Sequence, residues 1–192
     1  EWHSHLILLC ENMTGYRKLI HMVSLGFAEG FYMKPRIDME LLRQHSEGLI
    51  CLSACLAGAI PRAIADGDMD GAYELCEDFL EIFDRDHFYL EVQDHGIEEQ
   101  KKVNEGLYQL AEELNIGLVA TNDAHYLTRK DARTQDVLMC IQMGKTVDDP
   151  TRMKFETQEF YIKDADEMAA LFPNHPEALA NTVKIAQRCQ VE

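Results

Sequence analysis

Short apolar runs alternate with longer amphipathic stretches up to about residue 121 of the chain. Apolar runs of this kind predict buried strands, and stretches with an apolar residue every three or four positions predict helices. The predicted strands are residues 5–10, 48–53, 87–92 and 117–121. The predicted helices are residues 15–26, 39–45, 70–83 and 97–115, the first capped by Thr14 and the second by Asp38. Gly58 and Pro61 predict a turn after the second strand.

This order of elements predicts an α/β fold on a parallel sheet, either open or closed into a barrel. In such sheets the side chains that do chemistry gather where the strands end. The pattern changes after Tyr126, where residues 130–142 and 174–189 predict helices joined by a polar stretch that contains Pro150. We therefore expect a domain over residues 1–145 and a helical connector over residues 146–192.

Composition narrows the class of protein. The chain has 192 residues, which is room for one domain with a short appended piece. Its net charge of -16 argues against binding of duplex DNA by this segment alone, because Lys and Arg contacts to phosphate supply most of that affinity. Six cysteines without a CxxC pair predict free, buried thiols in a reducing cytoplasm. No apolar run reaches the roughly 18 residues of a membrane helix, so we expect no membrane partner.

Asp123 and His125 form the sharpest candidate for chemistry. They lie two residues apart, just after the predicted strand 117–121. A carboxylate and an imidazole at such a point can bind the same cation. The alternative is that Asp123 caps the next helix while His125 is merely exposed.

Three weaker candidates precede this pair. Strand alternation puts Cys51, Ser53 and Cys55 on one face, with Cys55 at the carboxyl end, so that Cys55 is either a metal ligand or a buried structural cysteine. His5, at the start of an apolar strand, is either a ligand or a core histidine. His95, between Asp94 and Gly96, is expected in a polar turn.

A basic cluster follows the Asp123–His125 pair. Arg129, Lys130 and Arg133 form too small a patch for nucleic-acid binding in so acidic a chain. We interpret them as the solvated face of a helix.

Seven stretches, in their order and spacing, resemble the amino-terminal region of DnaE-type alpha subunits of bacterial DNA polymerase III. The resemblance covers essentially the whole chain, and in that family the region is the later part of the PHP (polymerase and histidinol phosphatase) domain and a connector toward the polymerase palm. The stretches are residues 5–19, 34–38, 47–58, 88–96, 118–126, 144–150 and 176–182.

The resemblance implies a distorted (β/α)7 barrel, incomplete in this chain, with a metal centre at the strand ends. By motif, His5, Cys55, Asp123 and His125 match ligands of that centre, which would hold Zn, Mn or Fe. The resemblance also implies a parent DNA polymerase that uses Mg outside this segment. Its implied partners are DNA, a proofreading subunit and a sliding clamp.

The chain also departs from the family pattern. The family's upstream ligands, among them a His-x-His motif, and the catalytic aspartates of the palm do not occur in this sequence. The chain therefore resembles a fragment, for which we expect no polymerase activity and weak metal binding.

Three functions follow from the resemblance. The segment is an accessory barrel of a polymerase with a metal-dependent 3′–5′ exonuclease site, or a purely structural barrel with an inactive metal site. A stand-alone phosphatase of the histidinol-phosphate type is disfavoured by the residues after Tyr126.

Overall fold

A computed structural model describes residues 3–192. Within them, four strands form one sheet in the order β1-β2-β3-β4. The strands are β1 Ile7–Cys10, β2 Leu49–Leu52, β3 Phe88–Val92 and β4 Gly117–Ala120. The α-helices are α1 Met13–Ala28, α2 Met39–Gln44, α3 Ala59–Asp66, α4 Met69–His87, α5 Glu98–Leu114, α6 Ala132–Met143, α7 Ala165–Leu171 and α8 Pro176–Arg188. This arrangement confirms the α/β class.

Strand direction differs from the prediction at one edge. β2, β3 and β4 are parallel, but β1 is antiparallel to β2, with Ile7 opposite Leu52. The chain returns from α1 and α2 to the end of the sheet at which β1 finished. Gly15 makes this return possible, because a Cβ atom there would lie 1.8 Å from the carbonyl oxygen of Gly48. The prediction of an all-parallel sheet is therefore wrong for β1.

Two helix starts differ from the prediction for local reasons. α1 is capped by Asn12 rather than Thr14, since the Asn12 carboxamide oxygen accepts from the N–H groups of Thr14 and Gly15 at 2.9 and 3.1 Å. Gly58 and Pro61 begin α3 rather than form a turn alone. A proline in the first helical turn is tolerated because the N–H it lacks would have no partner within the helix.

Two other helix starts depend on acidic caps. The cap predicted at Asp38 is confirmed, because its carboxylate accepts from the Leu41 N–H at 2.8 Å. α7 was not predicted; it is a short helix held by a reciprocal capping box between Asp164 and Glu167.

The sheet is covered on both faces. On one face Phe88 and Leu90 pack with α3, α4 and α5, and on the other Ile50 and Val119 pack against Ile185 of α8. The boundary at 145/146 stays a prediction, but α8 belongs to the core around the sheet. No helix among the described residues is long and apolar enough to cross a membrane.

The cysteines are free thiols. Three of them are buried, as predicted, and three are half-buried. The buried ones are Cys51, Cys76 and Cys140, and the half-buried ones are Cys10, Cys55 and Cys189.

Candidate metal centre

The predicted ligands all lie at one edge of the sheet. Cys55 follows β2 and Asp123 follows β4, so both lie where parallel strands end. His5 precedes β1, but β1 runs antiparallel, so its beginning lies at the same edge. The backbone N–H of His5 donates to the carbonyl of Ala57 at 2.9 Å. The direction of β1 is thus what brings His5 to the end of β2.

His5 and Cys55 form one pair, with 3.7 Å between the His5 Nδ1 and Cys55 Sγ atoms. The chain turns sharply after β2 through Ala54, whose φ of 67° is in the left-handed region, and this turn directs the next residue toward His5. Two donors of one tetrahedral zinc ion, at usual Zn–N and Zn–S bond lengths, lie about 3.5 Å apart. The spacing of this pair therefore fits a shared ion.

Asp123 and His125 form a second pair, with 3.1 Å between the Asp123 Oδ1 and His125 Nε2 atoms. The backbone N–H of His125 donates to the carbonyl of Phe160 at 2.7 Å, which fixes the loop after β4. The alternative role for Asp123 as a helix cap is wrong. The next helical turn is capped at Thr128, whose N–H and hydroxyl donate to Asp131.

The two pairs do not merge into one cluster. Residues 3–192 contain no group of three or more His, Cys, Asp or Glu side chains that are placed to hold one metal ion. The reason is the open sheet, since Cys55 and Asp123 follow strands that are two strand spacings, about 10 Å, apart. The four-residue ligand set stays a prediction, although the spacing of His5 and Cys55 fits a shared ion.

Glu91 lies between the two pairs and was not predicted to belong to the site. It is in β3 and only 6% exposed. Its Oε1 accepts hydrogen bonds from the Thr121 hydroxyl and from Gln93 Nε2, the latter at 3.2 Å. Its Oε2 has no hydrogen-bond partner in the described part of the chain. Burial raises the pKa of Glu91, and the Asp123 carboxylate raises it further.

A small cavity joins Glu91 to Cys55. Both residues line it, together with the amide side chains of Gln93, Gln100 and Asn104, and it has room for about one water molecule. A buried carboxyl group with a free oxygen therefore faces a small cavity of mixed polar and apolar lining, at the end of the sheet where the candidate ligands lie. The sequence signal was available, because Glu91 interrupts the apolar strand between Leu90 and Val92.

His95 is buried, and its Nε2 atom has no hydrogen-bond partner in the described part of the chain. Asp94 forms the predicted polar turn, accepting from the Gly96 N–H at 2.8 Å. The His95 ring itself is buried, stacks on Phe160 at 4.3 Å, and lies 3.0 Å from Gln100 Nε2 through its Nδ1 atom. Burial and the nearby Lys163 lower the pKa of His95. It is a core histidine beside the loop of the Asp123–His125 pair.

Comparison with known proteins shows which domain family and which proteins the chain is similar to. Residues 1–95 match the family model of the PHP domain, which accounts for β1 to β3 and the site residues before Asp123. Over nearly its whole length the chain is similar to the DNA polymerase III subunit alpha of three bacteria. It is 51% identical to that of Treponema pallidum, 49% to that of Borreliella burgdorferi and 46% to that of Thermus aquaticus.

These matches cover 97%, 96% and 98% of this chain, and 16% of each relative. The chain thus spans about one sixth of the length of its relatives. Nearly the whole chain is therefore similar to one segment of these alpha subunits, and residues 1–95 of it match the PHP domain.

Proposed function

We propose that the chain is a segment of a replicative DNA polymerase III alpha subunit, a parent that carries out DNA-templated DNA synthesis in the cytoplasm. The names and high identity of the relatives support this assignment. The parent's Mg-dependent polymerase site would lie outside the segment. Its partners would be DNA and other replisome subunits, including the proofreading subunit and the sliding clamp.

The segment would form part of a PHP barrel. The sheet is open at β1 and at β4, and strands added from the parent at these edges would close it. Curling the sheet would shorten the distance between the His5–Cys55 pair and the Asp123–His125 pair. The isolated segment has pairs of ligands where the parent would have one centre.

At that centre, His5, Cys55, Asp123 and His125 would hold divalent Zn, Mn or Fe. The observation that carries this proposal is the spacing of the two pairs, 3.7 and 3.1 Å, at one edge of the sheet. Imidazole, thiolate and carboxylate donors together suit these metals. When bound, the metal would polarise a phosphodiester and supply hydroxide near neutral pH.

The proposed reaction is hydrolysis of the 3′-terminal phosphodiester of DNA, a 3′–5′ exonuclease. The residues of this chain would orient the metal, and the buried carboxyl of Glu91 would line the small cavity beside it. The second candidate is a structural barrel whose ligands stabilise the fold without catalysis. It is favoured by the open, paired arrangement of the ligands within residues 3–192.

The test uses the full-length parent with manganese. We expect Asp123→Asn to lower 3′–5′ exonuclease activity by at least about tenfold while DNA synthesis is retained. Asp78→Asn is a matched control, because Asp78 is exposed on α4, and it should change neither activity. Unchanged exonuclease activity in Asp123→Asn would leave only the structural barrel.

Metal binding by the isolated chain is a second test. Because each pair supplies only two protein ligands, zinc should bind weakly and be removed by dialysis against a chelator. Elemental analysis that finds near-stoichiometric zinc after dialysis would contradict this expectation.

A further inference from the structure

A groove opens beside the Asp123–His125 pair, between α6 and the loop that follows it. Its volume is about 310 Å³, at the small end of the range for ligand pockets and enough for part of a nucleotide. Its lining includes Tyr126, Arg133, Asp136, Arg152, Lys154 and Phe155.

One cation of the groove is paired with an acidic side chain, and within the described residues two others are not. Arg152 is bound to Asp136 through two hydrogen bonds, one of 2.9 Å between Arg152 Nη2 and Asp136 Oδ2, and this pair holds the loop to α6. Arg133 and Lys154 are exposed, and neither has an ion-pair partner among residues 3–192. The groove therefore offers two unpaired cations in a chain whose net charge is -16.

Aromatic rings connect the groove to the candidate metal ligands. The Phe155 ring lies 4.7 Å from the His125 ring, measured between centroids. Tyr126 directly follows His125 in the chain, and its hydroxyl accepts a hydrogen bond from the backbone N–H of Phe160 at 3.3 Å. Both aromatic side chains are half-buried, so each is held in place while part of its surface faces the groove.

We propose that this groove binds the 3′-terminal segment of single-stranded DNA. Arg133 and Lys154 would contact phosphates, and Tyr126 or Phe155 would stack with a base. Cations that follow the backbone, combined with aromatic rings that bases stack on, are how proteins bind single strands without sequence preference. The strand's end would then lie at His125, the residue that Phe155 contacts.

The acidity of the chain restricts this binding to the groove. At physiological ionic strength, charges more than about 8 Å apart are largely screened, so two local cations can act despite the net charge. Duplex DNA would bring a second backbone against the acidic surface. The groove therefore favours a single strand. Of the basic cluster interpreted from sequence as a solvated helix face, only Arg133 lines the groove, and Arg129 is paired with Glu159.

The proposal rests on the proposed exonuclease for its purpose, but binding can be measured without hydrolysis. Fluorescence anisotropy of a labelled oligothymidylate of about ten nucleotides, in a chelator, reports binding by the 192-residue chain. We expect Arg133→Ala with Lys154→Ala to weaken binding about tenfold at low salt. The slope of log K against log salt should become shallower by about 1.4, or about 0.7 for each lost phosphate contact.

The matched control is Arg17→Ala with Lys184→Ala, which removes the same charge from exposed positions on α1 and α8. It should leave affinity and slope nearly unchanged. Arg133→Lys with Lys154→Arg keeps both charges and should retain binding. Equal losses in the groove variant and in the Arg17–Lys184 variant, or equal affinity of the chain for a blunt duplex, would overturn the proposal.

Asp123→Asn separates the two proposals. In the anisotropy assay it should bind the oligonucleotide like the unmodified chain. If Asp123→Asn keeps exonuclease activity in the parent but the groove variant loses binding, the metal centre is refuted and the groove stands. If the groove variant binds normally, the groove is refuted whatever the exonuclease result.

Discussion

Replacing Thr121 with valine removes the hydroxyl that holds the buried Glu91 carboxyl. That hydroxyl donates to Glu91 Oε1 and accepts from Gln93 Nε2 at 3.0 Å. Because Glu91 is 6% exposed and its Oε2 already lacks a partner within residues 3–192, the single water that the adjoining cavity can hold would not satisfy both oxygens after the hydroxyl is lost. Losing a hydrogen bond to a charged group costs about 1.5–3 kcal/mol, and the neutral one to Gln93 about 1 kcal/mol. We therefore expect Thr121→Val to lower the free energy of unfolding by about 3 kcal/mol.

Urea unfolding followed by circular dichroism at pH 7 measures this loss. A double-mutant cycle with Glu91→Gln isolates the pair, because a neutral amide needs the hydroxyl less. The two changes should be coupled by about 1 kcal/mol or more. Thr134→Val, on the exposed face of α6, is the control and should stay within about 0.5 kcal/mol. Effects that add within about 0.5 kcal/mol would refute the argument that Thr121 acts through the carboxyl.

The pH dependence of the free energy of unfolding gives an independent check on the buried Glu91 carboxyl. Burial raises the pKa of Glu91 above its ordinary value of 4.5. At a pH between the pKa of Glu91 in the unfolded chain and its higher pKa in the folded protein, the folded protein keeps a proton that the unfolded chain has released. This contribution to stability is present below the unfolded pKa and is lost as pH rises through the folded pKa. The unfolding free energy of the unmodified chain, minus that of Glu91→Gln, should therefore fall across this window, and a constant difference would contradict the raised pKa.

Three further predictions concern the core. Phe88→Ala should lower the free energy of unfolding in urea by about 3–5 kcal/mol because Phe88 is fully buried. Phe27→Ala, at a side chain that is 60% exposed, should lower it by less than about 1 kcal/mol. Similar losses in the two variants would contradict the core assignment. Gly15→Ala should lower the unfolding free energy by more than about 2 kcal/mol, since its Cβ would overlap the Gly48 carbonyl, and a near-neutral effect would contradict the close approach of α1 to β2. Burial raises the pKa of Cys76 to about 12, so at pH 8 its thiolate should be about 1000-fold rarer than that of a thiol with pKa 9.0. Iodoacetamide should therefore label Cys76 slowly, as followed by mass spectrometry. Fast labelling of Cys76 in the folded protein would contradict the raised pKa.

The strands and the longest helices could be predicted from the sequence because their signals are local. The apolar stripe of α5 and the short apolar runs of β2 and β4 follow from the repeat of each backbone. The cap at Asp38 was predictable for the same reason. The start of α3 was missed because Pro61, which usually interrupts a helix, is tolerated in a first turn.

The candidate site was likewise predictable in part from the sequence. Motifs identified His5, Cys55, Asp123 and His125, and the spacing of Asp123 and His125 alone indicated that they face one another. The pairing of His5 with Cys55 depends on the antiparallel direction of β1, which is decided by packing between elements far apart in the chain. Sequence periodicity is the same for a strand of either direction, so it could not predict this contact.

The sequence by itself determined the class of fold, most of its elements and the residue types at the candidate centre. Only the tertiary structure decided that His5 meets Cys55, that Glu91 is buried between the two pairs, and that Arg133 and Lys154 line one groove. The physical reason is that burial and charge balance are properties of several elements packed together. A glutamate in an apolar strand or a pair of distant cations acquires its meaning only when the neighbouring elements are in place.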